Sequence, residues 1–386
     1  MVVRMKKRFL TALLLAAVFW ALGSCNDPVF YTISQEVEPI DPRINGSPTN
    51  FAVFGGVMYA ASGSKLHGYS GGSWKAGPNP GGKILQIAST GDYLYALCNE
   101  GTGVKTTLKR FNNSTWEILG MENPSSRRLQ FIYAAGDRLF AGVSYSYSFS
   151  IMYVDKGAPA NAAIKDLIRA DNGSITVGEI SGAAYDGTDY YLCTRDAGVF
   201  KTDDPASGAA PLIGGSNLLF TGMINLSDDN TENKIVLIER YGDIYTVGET
   251  VAQLGNISMG SRMSTGALAV WVDKDDPSRR LLLAGRQDWL AYSVDSGYTY
   301  GYLELELDEN GVKAGSQYSE PGLNFPSSII NGDNERYTST IGKYPVNHIF
   351  QAPREIDSEM TLFAATQKNG VFSYRDRDPW QWNAEE

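Results

Sequence analysis

Ile84-Leu85-Gln86-Ile87-Ala88, then Gly91-Asp92, then Leu94-Tyr95-Ala96 is an apolar run, a turn and a hydrophobic-aromatic-small triplet, in that order. Such runs flanking a Gly-Asp turn read as two antiparallel strands joined in a hairpin. The unit recurs. Its triplet returns as Met58-Tyr59-Ala60, Leu139-Phe140-Ala141, Tyr191-Leu192-Cys193, Val236-Leu237-Ile238, Leu282-Leu283-Ala284 and Leu362-Phe363-Ala364. Successive copies lie 36 to 52 residues apart, with one wider gap before the last. A third strand follows the triplet, as in Gly198-Val199-Phe200-Lys201, Gly242-Asp243-Ile244-Tyr245 and Gly370-Val371-Phe372-Ser373-Tyr374. A polar turn and an aromatic residue then open an outer strand at Ser73-Trp74, Thr115-Trp116, Tyr298-Thr299-Tyr300 and Pro379-Trp380. Four strands at this period are a propeller blade, so the fold class is all-β: a seven-bladed β-propeller of four-stranded antiparallel blades, over residues 51 to 386.

The small residue of the triplet suits the crowded inner end of sheets stacked around a ring. Cys193 reads as a small hydrophobe in that slot, which Ala holds in most other copies. Cys98 lies in a blade not adjacent to that of Cys193, so a disulfide between them is not expected.

Arg4, Lys6, Lys7 and Arg8 precede an uncharged stretch, Phe9 to Ala21, that is short for a membrane span and reads as the core of a signal peptide over residues 1 to 24. Leu22-Gly23-Ser24-Cys25 resembles the lipobox of bacterial lipoproteins. That resemblance implies that Cys25 is the lipidated first residue of the mature chain, held by its acyl chains in a bacterial cell envelope. The alternative is an ordinary secretory signal with an incidental Cys. Removing those four cations and no acid takes the formal net charge from −10 to −14, which argues against nucleic acid and anionic lipid headgroups as partners.

Within the anchored segment, residues 25 to 50, Val29 to Ser34 has strand composition and is assigned to closing the ring by completing the last blade. A tether is the other reading of this segment, and Pro39 to Pro48 also suits one. Residues 303 to 344, in the widest repeat gap, read as an insertion. It carries the hairpin turn signal Asp308-Glu309-Asn310-Gly311 and then Gly-, Ser- and Asn-rich sequence of little periodicity.

Ser293-Val294-Asp295-Ser296-Gly297-Tyr298-Thr299-Tyr300 resembles the Asp-box, or BNR repeat, with Tyr300 in place of the usual Trp. In that motif Ser293, Asp295, Gly297, Thr299 and Tyr300 build a turn: the carboxylate accepts backbone N–H groups, the glycine supplies positive φ, and the ring packs on the sheet. The resemblance implies a propeller more than an activity. Sialidases carry such turns, but they also need three arginines for the substrate carboxylate, a Tyr-Glu pair, an Asp and an Arg-Ile-Pro motif. This chain has Pro42-Arg43-Ile44 and no Arg-Ile-Pro.

Two residues beyond the small position, three consecutive blades carry Arg195, Arg240 and Arg286, with Tyr241 and Trp289 nearby. On one face of the ring they could hold an anionic group bidentately; the competing reading pairs them with Asp196, Glu239 and Asp288. Only two histidines, His67 and His348, are present, without metal-ligand spacing, and no phosphate-binding loop or Cys-x-x-Cys occurs. No metal, no cofactor and no catalytic residue is therefore assigned. With the anchor that the lipobox resemblance implies, these readings favour a lipid-anchored, noncatalytic binding or scaffolding module for protein or glycan ligands. An Asp-box glycoside hydrolase and an envelope-assembly factor are the alternatives.

Overall fold

Strands punctuated by turns build every sheet, and the second strand is commonly buried on both faces, as in Tyr190–Thr194, Ile235–Glu239 and Leu362–Thr366. The computed structural model describes residues 44, 46–101, 105–121, 127–145, 148–155, 159–167, 179–214, 218–226, 235–248, 251–256, 263–275, 280–286, 299–308, 311–321, 346–367, 370–375 and 381–385. Contacts group Pro42–Glu386 as one unit and Met1–Asp41 as another; only the first contains described residues. Four-stranded antiparallel sheets follow one another over residues 48–76, 83–119, 127–166, 180–214, 220–256, 263–321 and 346–384. They are numbered sheet 1 to sheet 7, with strands A to D in chain order. Each is a simple meander, and together they form an all-β propeller with strand A innermost.

Strands A and B are joined tightly where glycine permits it. Gly55 and Gly56 take φ of 59° and 72° between the paired Phe54 and Val57, the primed turn geometry that matches strand twist. Near the start of strand A the A–B ladder slips in every sheet, for example between Ile84 and Gln86, Ile180 and Gly182, and Phe220 and Gly222. The bulge tightens the local twist where strands crowd towards the axis. Gly182 sits at one of these points; a Cβ there would lie 2.8 Å from the Met223 backbone nitrogen of sheet 5.

The apolar core is divided into separate clusters, each filling the gap between two neighbouring sheets. Their membership corrects the register inferred from the triplets. Ala60, Ala96, Ala141 and Ala364 face the preceding sheet, whereas Cys193 and Ile238 face the following one. Period-two alternation sends residues one position apart to opposite faces, so in sheets 4 and 5 the equivalents of those alanines are Leu192 and Leu237. Cys193 thus does not fill the alanine slot. Cys98 and Cys193 are buried and unbridged.

Sheet 7 also departs from expectation. All four of its strands, from Val346–Gln351 to Gln381–Ala384, come from the C-terminal part of the chain. Val29 to Ser34 lies outside the described residues, and no strand of sheet 7 is left for it to supply. Side chains and a short backbone contact close the seam to sheet 1 instead. The Trp74 indole N–H donates to the Glu385 carboxylate at 2.8 Å, and the Ser373 hydroxyl donates to the same carboxylate. Tyr69 donates to Asp357 at 3.1 Å. The backbone N–H groups of Gly370 and Val371 donate to the carbonyls of Gly46 and Ile44. Ordered structure therefore begins before residue 51.

The stretch from residue 303 is likewise strand at first. Thr299–Asp308 and Gly311–Pro321 are strands C and D of sheet 6, with Asp308 opposite Gly311 at the expected turn. Because Thr299 opens strand C, the Asp-box residues do not lead into the outer strand. Residues 322–345 lie outside the described part.

Candidate functional site

The inner edges of the A strands enclose an axial cavity of about 790 Å³, to which every sheet contributes. An inner strand presents peptide N–H and C=O groups that no further strand can pair. Amide side chains from adjacent sheets occupy several of these sites. Asn50 of sheet 1 accepts from the Ile87 N–H at 3.0 Å and donates to the Ile87 carbonyl at 2.6 Å. Gln86 of sheet 2 does the same to Ile132, at 2.9 and 2.7 Å, and Gln351 of sheet 7 to Val272 of sheet 6, at 2.8 and 2.9 Å. Asn225 donates to the Tyr185 carbonyl and Asn347 to that of Pro48. A primary amide carries the same donor and acceptor as a peptide unit, so each stands in for the missing strand. Sequence reading missed these residues, although a lone amide inside an apolar run, as in Ile84-Leu85-Gln86-Ile87-Ala88, was the visible signal.

Once those amides are engaged, the rest of the lining is chiefly Ile, Leu, Val, Phe, Ala and Met. Among the described lining residues there is no Asp, Glu, Lys or Arg. The one titratable imidazole, His348, accepts from the Phe51 N–H at 3.4 Å and stacks on Phe350. Burial lowers its pKa to about 4, so it is neutral at pH 7.

Strand A of sheet 7 leads into a loop, residues 352–361, whose Ala352, Pro353 and Met360 also line the cavity. Met360 has φ of 50°, rare for a residue with a side chain. Its N–H donates to the Asp357 carbonyl at 2.9 Å. The loop is fastened on both sides: Tyr69 of sheet 1 holds Asp357, while Lys274, just beyond strand A of sheet 6, pairs with Glu359 at 2.5 Å and accepts from Arg354 through its carbonyl.

Arg195 and Arg240 are not among the cavity's described lining residues. Arg195 and Arg240 occupy equivalent B–C turns, and their N–H groups donate to the Glu179 and Leu219 carbonyls. The Arg195 side chain, 47% exposed, pairs with Glu179 at 2.7 Å. Arg240 is half-buried, its guanidinium 6.0 Å from the ring centre of Tyr241, which is 57% exposed. Glu239 accepts from the Tyr241 N–H at 2.7 Å, and burial raises its pKa. Arg286 ends strand B of sheet 6 opposite Met263; its side chain, like Trp289, Ser293, Asp295 and Gly297, lies outside the described part, as do the side chains of Thr299 and Tyr300. Cys25 does too. Burial pushes the Cys193 thiol up to about 12 and that of Cys98 to about 11, which makes both poor nucleophiles. No cluster of His, Cys, Asp and Glu able to hold a metal occurs among the described residues.

The sequence matches no protein-family profile and no curated protein. Solved structures do resemble the fold. The GH74 xyloglucanase from Xanthomonas campestris superposes with a TM-score of 0.53 at 13% identity, over 89% of this chain and 55% of that one. The GH74 enzyme of Niastella koreensis gives 0.53 at 12%, with the same coverages. YCF48 bound to D1 peptide gives 0.49 at 10%, over 88% of this chain and 95% of that one. This chain thus spans about half the length of the two GH74 enzymes. At such identities the likeness is one of fold: a β-propeller.

Proposed function

We propose that this chain is a noncatalytic binding module of the bacterial cell envelope: a seven-bladed ring, lipid-anchored through Cys25 after loss of residues 1 to 24, that holds an uncharged part of a protein or glycan ligand in its axial channel. The observation that carries the reading is the neutral lining. A chain with net charge −10 keeps every ionised side chain off the described walls of this axial cavity. Glycoside hydrolysis needs two carboxyl groups facing each other across the substrate, and the described lining offers none, so binding is preferred to hydrolysis. Arg195, on a turn outside the cavity, is already paired with Glu179 at 2.7 Å, so an anionic ligand at Arg195 and Arg240 would have to compete with that carboxylate, and the channel is preferred as the site.

Ala183 lines the channel, and Ala183→Arg puts a charge there. Ligands recovered from an array of neutral glycans and capped peptides should lose at least tenfold in affinity with this variant. Unchanged affinity refutes the channel as the site, and release of reducing sugar from any glycan refutes the noncatalytic assignment. The anchor is tested by the mass of the mature protein, which should begin at an acylated Cys25.

A further inference from the structure

We infer that the part of the ligand entering the channel is an uncharged aliphatic chain, and that Met360 on the 352–361 loop sets how far it enters. This rests on the channel being the binding site. Three observations lead to it. The described lining has no ionised group, and its histidine is neutral. Of the five amide side chains in the lining, Asn50, Gln86 and Gln351 are each engaged twice by backbone of a neighbouring sheet, and Asn225 and Asn347 each donate to a carbonyl of one. Satisfied groups give a ligand little to bond, whereas apolar walls reward each methylene removed from water.

The loop supplies the third observation. In sheets 1 and 3 two residues join the A and B strands, whereas sheet 7 inserts residues 352–361 and returns Met360 to the cavity wall. A non-glycine residue at φ of 50° persists only where its surroundings over-determine it. Here the bonds to Tyr69 on one side and Lys274 on the other provide that constraint. The strained residue carries an unbranched thioether, which adapts to apolar surfaces of varied shape. Its place beyond the C-terminal end of strand A puts it towards the A–B end of the channel, away from the turns that carry Arg195 and Arg240.

The test uses the whole protein and n-alkyl-β-D-glucosides from hexyl to dodecyl, titrated calorimetrically below their micelle concentrations. Affinity should rise about fourfold per added methylene and then level off at a tail length set by the channel. Met360→Ala should shift that plateau to longer tails and Met360→Trp to shorter ones, while Met360→Leu, close in volume, leaves it in place. With no substitution at all, decyl glucoside should slow peroxide oxidation of Met360 at least fivefold. A rising series whose plateau ignores the variants, or an unchanged oxidation rate, overturns the role of Met360. A flat series, or a capped Ala-Leu peptide that outcompetes every glucoside, overturns the aliphatic assignment. If such a peptide or a neutral sugar still loses its binding in Ala183→Arg, the channel stands as the site although the aliphatic assignment has failed.

Discussion

Replacing Glu385 by alanine should loosen the seam between sheets 7 and 1 more than any surface substitution. Glu385 is 7% exposed and lies against a Trp74 that is 1% exposed. Two donors converge on it, the indole N–H at 2.8 Å and the Ser373 hydroxyl. The hydroxyl can rotate to another acceptor; the indole N–H, fixed by its edge-on packing against Phe363, cannot. Hydrogen bonds to a charged acceptor contribute about 1.5–3 kcal/mol each, and a buried donor left unpaired costs about 1–3 kcal/mol. Allowing for recovery at Ser373, the expected loss is about 2–4 kcal/mol, or about 3–6 °C in melting temperature for a protein of this size. Trp74→Phe removes the donor and keeps most of the aromatic packing. In a double-mutant cycle monitored by urea unfolding, the two changes should couple by about 1–2 kcal/mol. A Glu385→Ala cost below about 0.5 kcal/mol, or additive single changes, would refute the claim that this contact latches the ring.

Three further outcomes are expected. Gln86→Leu strands the Ile132 N–H and carbonyl in the channel wall and should cost about 1–3 kcal/mol in urea unfolding, whereas Gln86→Glu keeps only the acceptor and falls between the two. His348, whose pKa falls to about 4 on burial, is neutral in the fold while its unfolded counterpart protonates near pH 6.5. Stability should therefore be unaffected by this group above pH 6.5 and fall by about 3 kcal/mol as pH drops to 4, a slope that His348→Asn should remove. Cys98 and Cys193, with thiols raised to about 11 and about 12, should resist thiol reagents at pH 8 and both react in urea; prompt labelling of the native protein would contradict their burial.

Strand hairpins and their turns were legible because period-two runs and turn glycines are local signals, and Asp308-Glu309-Asn310-Gly311 marked a real turn. Parity was not. Tyr191-Leu192-Cys193 and Leu94-Tyr95-Ala96 look alike, yet a shift of one residue reverses which sheet each side chain meets: Ala96 packs towards the preceding sheet and Cys193 towards the following one. The amides of the channel were equally hidden, since their partners lie in other sheets: Gln86 meets Ile132, and Gln351 meets Val272. The arginine series was legible as a repeat position at Arg195 and Arg240, but a repeat position does not show that its side chain reaches the cavity.

The seam has a consequence for how the chain is made. Most sheets pack against partners close to them in sequence, so the ring can grow one unit at a time with little entropy lost to closing loops. Sheet 1 cannot finish in this way. Met58, Ala60 and Trp74 form a cluster with Phe363, Ala365 and Val371, and the Trp74 latch spans 311 residues to Glu385. During synthesis the first unit must therefore wait, its apolar face exposed, until the last has emerged. That interval is when the nascent chain most needs protection from aggregation, and its length is set by translation rather than by the fold.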